Sequence, residues 1–100
     1  MDLVKKVVAH FLTDTPIRIA DINRGVQENH PETIFLAAHS LKSASTTVGA
    51  MTLADLCKDL EQFARRELIA DAPEQLARIE SEYQLVATAL ESFINALNQE

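Results

Sequence analysis

Apolar residues return at steps of three and four from Leu3 to Leu97, and the rhythm breaks at only four places. Each break carries a proline or a glycine: Pro16, Pro31, Gly49 and Pro73. That period belongs to a helix with one buried face. No stretch alternates with period two over strand length between turn signals, so the sequence gives a sheet no support. The fold class is therefore all-α.

Five helical segments follow. Leu3, Val4, Val7, Val8 and Phe11 predict a short amphipathic helix that stops near Thr13. Asp14-Thr15-Pro16 then reads as a capping side chain and a first-turn proline. They open a second helix with Ile19, Ile22 and Val26 inward, ending near Asn29. Asn29-His30-Pro31-Glu32 repeats the device and starts a third, which runs to about Val48. Gly49 is its left-handed terminator, since glycine has no side chain to clash at positive φ. Leu53, Leu56, Cys57, Leu60, Phe63 and Ala64 share one face of the fourth helix. After Ile69–Pro73 a long last helix turns Leu76, Ile79, Tyr83, Val86, Leu90, Phe93, Ile94 and Leu97 inward. Short connections make neighbours antiparallel. The expected architecture is one domain over residues 1–100, an up-and-down four-helix bundle with a short N-terminal capping helix.

Charge and cysteine usage narrow the function. Nine Lys and Arg against fifteen Asp and Glu leave a net charge of -6, the wrong sign for a nucleic-acid backbone or an anionic membrane. The lone Cys57 cannot form an intrachain disulfide or build a thiolate metal site, which suits a reducing, cytoplasmic setting. Neither a signal-peptide layout nor an apolar run long enough to span a bilayer is present.

A helical bundle of this size acts through a groove, a core cofactor or an exposed side chain. Di-metal carboxylate bundles need Glu-x-x-His pairs, and none of His10, His30 and His39 has a Glu three residues before it. The histidines have no ligand-spaced partner for zinc, and no base or oxyanion hole accompanies the scattered serines. The third helix differs. At about 100° per residue, Ile34, Ala37, Leu41, Ala44 and Val48 gather opposite His39, which turns the imidazole to solvent. Lys42, Ser43 and Thr46 lie three, four and seven residues beyond it, and Phe35 and Leu36 one turn before it. An exposed imidazole among small residues, with an ammonium beside it, is a nucleophile open to a partner. A neutral ring nitrogen attacks phosphorus, and the cation offsets the roughly -2 charge that arrives.

The string Ala38-His39-Ser40-Leu41-Lys42-Ser43-Ala44-Ser45-Thr46-Thr47-Val48-Gly49-Ala50 resembles the signature of histidine-containing phosphotransfer (HPt) domains, roughly His-x-Leu-Lys-Gly-Ser-Ser-x-x-x-Gly-Ala. Phe11-Leu12 with Thr15-Pro16 upstream, and Leu53, Leu56, Cys57, Leu60 and Glu61 downstream, extend the likeness over nearly the whole chain. Ala44 replaces the first Ser of the pattern, on the core-facing side. Ser43 stands where the family usually has Gly, beside the imidazole, and bears on partner preference.

The resemblance implies that His39 is the phospho-acceptor and that Lys42 stabilises the phosphoryl charge. Phe35, Leu36, Ser43 and Thr46 form the expected docking patch, and Gly49 is structural. It implies a carrier without kinase activity that relays phosphoryl groups between receiver-domain aspartates, with response-regulator receivers and a hybrid sensor histidine kinase as partners. No cofactor or metal is expected on this chain, because the receiver brings the magnesium. A monomer is expected, with no nucleic acid and no direct membrane contact. The first helix begins almost at Met1 with no linker; between a free-standing protein and a piece of a larger hybrid sensor kinase, whose cytoplasmic part it would then be, the reading leans slightly to the piece. The alternative is an interaction module that binds a partner through the same helix face without being phosphorylated.

Overall fold

The computed structural model describes residues 2–99. Four helices account for nearly all of them: α1 (Asp2–Gln27), α2 (Pro31–Thr47), α3 (Met51–Arg65) and α4 (Ala72–Asn98). Each packs against two others, α1 on α2, α2 on α3, α3 on α4 and α4 back on α1. The closed ring with short connections is an up-and-down bundle, as the periodicity requires.

The separate N-terminal capping helix does not exist. Residues 3–13 are the first half of α1, which runs unbroken through Pro16. A proline inside a helix leaves the carbonyl four residues earlier without its amide partner. Here that carbonyl belongs to Leu12, and the Tyr83 hydroxyl of α4 donates to it at 3.3 Å. Val8, Phe11, Thr15 and Ile22 form one buried stripe across the proline, which only a continuous helix can align. The Phe11 and Tyr83 rings pack 5.9 Å apart on its inner side. Asp14, expected as a cap, instead holds Arg18 one turn on, at 3.2 Å. Tertiary packing and a borrowed hydroxyl thus outweigh the local break signal.

This arrangement yields a coupled prediction. Tyr83→Phe should cost about 1 kcal/mol by leaving the Leu12 carbonyl without a partner, lowering the melting temperature by about 4–8 °C. In a Pro16→Ala background the restored amide serves that carbonyl, so the same change should cost much less. Equal losses in both backgrounds, measured by thermal melts of the four variants, would refute the account.

Three connections end their helices in one way. Asn29, Gly49 and Glu67 adopt left-handed backbone at φ 53°, 79° and 60°. The next amide in each case returns to the carbonyl five residues back: His30 to Gly25, Ala50 to Ser45 and Leu68 to Phe63. This is the Schellman closure. At Gly49 nothing lies within 4 Å of where a Cβ would sit, so backbone conformation alone favours glycine. The other glycine acts through space. A Cβ on Gly25 would lie 2.8 Å from Cγ1 of the fully buried Ile34, so α1 and α2 meet backbone to side chain there. Across the first connection, His30 caps α2 with its ring, Nδ1 accepting from the Thr33 amide at 3.2 Å.

With 26 and 27 residues, α1 and α4 outrun α2 and α3, which have 17 and 15, by roughly 15 Å at the helical rise. The molecule is accordingly 48 Å long and about 20 Å across. Four residues expected inward take no part in the core: Phe63 is 44% exposed and Phe93 45% exposed, and Ile94 and Leu97 are only half-buried. Phe93, Ile94 and Leu97 lie on the overhanging end of α4, whose buried positions stop at Tyr83. No helix is long and apolar enough to cross a membrane among the described residues.

Candidate functional site

The site is carried by the middle of α2 and the C-terminal half of α3. Ile34, Ala37, Ala38 and Leu41 are buried, which fixes the rotation of α2 and turns His39 outward, its side chain 57% exposed. The buried stripe of α3 runs Leu53, Ala54, Cys57, Leu60, Glu61, Ala64. One member of that stripe is a carboxylate.

Glu61 is 6% exposed and lies opposite His39. Its Oε1 is 2.7 Å from His39 Nδ1, and the Lys42 ammonium lies 3.0 Å from Oε1 and 3.1 Å from Oε2. Burial pushes the Glu61 pKa up, but hydrogen bonds from Lys42 and His39, with their charges, outweigh it and hold the carboxyl below its ordinary range. An ionised carboxylate only accepts hydrogen bonds. His39 Nδ1–H is therefore the donor, and in the neutral ring the lone pair belongs to Nε2, which makes no hydrogen bond among the described residues on a side chain more than half exposed. The imidazole is held in one tautomer with its nucleophilic nitrogen towards solvent.

The residues expected around His39 divide between its two flanks. Towards α3, Phe35 stacks beside the imidazole with centroids 6.0 Å apart and planes at 17°, and the Arg65 guanidinium sits 5.2 Å over the Phe35 ring. Towards α1, Leu36 is 58% exposed above Arg18, Asp21 and Arg24. Ser43 is exposed on a groove shared with Lys6, Val7, His10 and Thr47. Thr46 is exposed and spends its hydroxyl on the Lys42 carbonyl, 3.0 Å away. Ala44, the departure from the expected serine, packs on the core. His10 and His30 are not brought to this cluster, and Cys57, whose thiol burial pushes up to about 12, is inert inside the bundle. Among the described residues no three His, Cys, Asp or Glu side chains gather to hold a metal ion.

Sequence reasoning missed Glu61 as a site residue, although its signal was there: a charged residue at a position of the buried stripe, four after Cys57 and one after Leu60. Arg65, one turn beyond Glu61 on the same face, was missed with it.

Comparison with known proteins bears on the fold and the family. No curated protein matches the sequence. The crystal structure of histidine-containing phosphotransfer protein B (HptB) from Pseudomonas aeruginosa PAO1 superposes with a TM-score of 0.84 at 29% identity, over 86% of this chain and 75% of that one. The family model of the Hpt domain matches residues 6–99. A helical bundle so similar to a phosphotransfer protein, matched by that family's model from end to end of α2–α4 and most of α1, belongs to the Hpt domain family, whose members carry phosphoryl groups on histidine in phosphorelays.

Proposed function

We propose that His39 is the phosphoryl acceptor and donor of this chain. The observation that supports the reading most is the 2.7 Å hydrogen bond from Nδ1 to the ionised Glu61, which leaves the Nε2 lone pair aimed at solvent. In the accepting step Nε2 forms a bond to phosphorus of a receiver's aspartyl phosphate. The P–O bond breaks, and the aspartate leaves as carboxylate with the electron pair. The ring keeps Nδ1–H and becomes cationic, a charge that Glu61 offsets. Transfer to a second receiver reverses these steps, with neutral imidazole as leaving group. Lys42 sits at the edge of the same cluster and favours the incoming negative charge. The chain carries no kinase chemistry; a receiver supplies magnesium and the acidic pocket, and a hybrid sensor histidine kinase feeds the relay. The domain works as a cytoplasmic monomer. Incubation with a phosphorylated receiver, followed by assay of acid-labile label on this chain, tests the reading.

Docking is assigned to the exposed surface around His39, with Leu36, Ser43 and Thr46 at its rim and Phe35 at its α3 side. If side-chain volume beside the imidazole controls approach, Ser43→Gln should weaken transfer from a receiver several-fold. Ser43→Gly should preserve it while costing about 0.5 to 1 kcal/mol of helix stability. Equal transfer rates for Gly, Ser and Gln, with intact helices by circular dichroism, would move the docking surface elsewhere.

A further inference from the structure

On a chain with a net charge of -6, a groove lined by cations and no carboxylate stands apart. Four other grooves of the described surface each include at least one Asp or Glu. The groove between the N-terminal half of α1 and the C-terminal half of α2 includes none and has a volume of about 440 Å³, within the range of small-molecule sites. Val7 and Phe11 of α1 face Ala44 and Val48 of α2 across it, all of them buried or half-buried. Lys6 and His10 stand one turn apart on its α1 rim, both exposed. Neither takes part in an ion pair among the described residues, whereas Arg18, Arg24, Lys42 and Arg78 all do. The ammonium brings three donors and the imidazole at least one N–H in either protonation state, so one carboxylate can be met by both. From α2, Ser43 and Thr47 close the rim. The Thr47 hydroxyl donates to the Ser43 carbonyl at 3.0 Å, which leaves the Ser43 hydroxyl as the donor on that side.

We propose that this groove binds a small carboxylate with an apolar tail of about eight carbons, and that its occupant competes with a docking receiver. From Lys6 to Phe11 the groove runs roughly 8 Å at the helical rise, the reach of such a tail laid along it. Apolar walls with one anchored polar end are what a small-molecule site requires, and the absence of any acid from the lining gives the head group its sign. The groove is open on one side, so the tail is only partly buried and each methylene should strengthen binding about twofold rather than the fourfold of full burial. The competition, unlike the binding, rests on the reading of His39 as acceptor: Ser43 is a wall of the groove and also the rim of the docking surface, one turn beyond the imidazole.

The probe is octanoate, titrated into the 15N-labelled chain at low salt, where screening is weakest. Amides of residues 6–11 and 43–48 should shift and saturate, with a dissociation constant on the order of 1 mM for a ligand of this size. Octylammonium, with the same tail and the opposite head, should bind at least tenfold more weakly. Lys6→Gln should weaken octanoate about threefold, the size of one exposed charge pair, whereas Lys5→Gln, which removes the same charge from the groove shared with Glu91, should change nothing. Thr47→Leu fills the groove from an exposed position and should abolish the shifts with the helices intact by circular dichroism. Shifts that do not saturate, equal binding of octylammonium, or unchanged binding in Thr47→Leu would overturn the site. Labelling then tests the competition. Saturating octanoate should slow transfer from a phosphorylated receiver several-fold in the wild-type chain and have no effect in Thr47→Leu. It should also leave labelling by phosphoramidate unchanged, a reaction in which Nε2 bonds to phosphorus, the P–N bond breaks and ammonia leaves with the electron pair. Octanoate that fills the groove without slowing the receiver overturns the competition. A chain that takes no label from phosphoramidate overturns the reading of His39 and the competition with it, while the titration alone decides the site.

Discussion

His39→Gln should abolish acid-labile labelling by a phosphorylated receiver while leaving the bundle folded. The side chain is more than half exposed, so its replacement opens no cavity, and the glutamine amide can donate to Glu61 in place of Nδ1–H. Substitutions of this kind stay within about 0.5 kcal/mol, so helicity should be unchanged and the melting temperature should move by only a few degrees. The loss of label should be complete, because glutamine offers no nucleophilic nitrogen. His10→Gln and His30→Gln provide the contrast. Both should label normally, although His30→Gln removes the ring that caps α2 and should cost about 1 kcal/mol. Label that persists in His39→Gln would end the assignment. A wild-type chain that binds a receiver through this face yet never takes label would instead fit the interaction-module reading.

Replacing Glu61 should damage transfer nearly as much, without touching the acceptor. Hydrogen bonds to charged groups contribute about 1.5–3 kcal/mol. Glu61→Gln keeps an acceptor for Nδ1–H but loses the charge that offsets the cationic ring, and transfer should slow about tenfold. Glu61→Ala also frees the imidazole to rotate and to change tautomer, and the loss should be on the order of a hundredfold. A pH series separates positioning from stability. The Glu61 pKa is depressed in the fold, so its ionised form stabilises the protein above the pKa of the unfolded chain. That contribution fades as pH falls from about 5 through the lower folded-state value. The melting-temperature advantage of wild type over Glu61→Gln should therefore be full near neutrality and vanish in acid. A constant difference across that range would show that the charge of Glu61 does not act through the fold.

How far the sequence could be read depended on whether the deciding interaction was local. The rotation of α2 was legible, since Ile34, Ala37 and Leu41 define a buried stripe by themselves and place His39 opposite. The ends of α1 and α2 were legible where Asn29 and Gly49 supply residues tolerant of positive φ. The same closure at Glu67 was not, because a glutamate carries no such signal and is held there by its neighbours. Pro16 misled for a related reason. Its local rule is a broken helix, and the hydroxyl that makes an unbroken one tenable belongs to Tyr83, 71 residues beyond the carbonyl that it serves. The outward placement of His39, the proposed acceptor, was likewise evident from one helix, while its partner Glu61 lies 22 residues on and enters the site only because α2 and α3 run antiparallel.

On the proposed reading, in which His39 both accepts and donates the phosphoryl group, its placement has a consequence for the traffic through a relay. The imidazole stands in the middle of α2, with helix backbone on either side of it, and one nitrogen faces out. Donor and recipient must use the same atom from the same direction, so they cannot be seated together. The carrier is emptied and filled in alternate visits, and no three-membered assembly stands between them. An unphosphorylated receiver in excess then occupies the only berth and delays the donor as effectively as any inhibitor. The throughput of such a relay is set by how briefly each visitor stays, which favours a small, shallow docking face over a tight one.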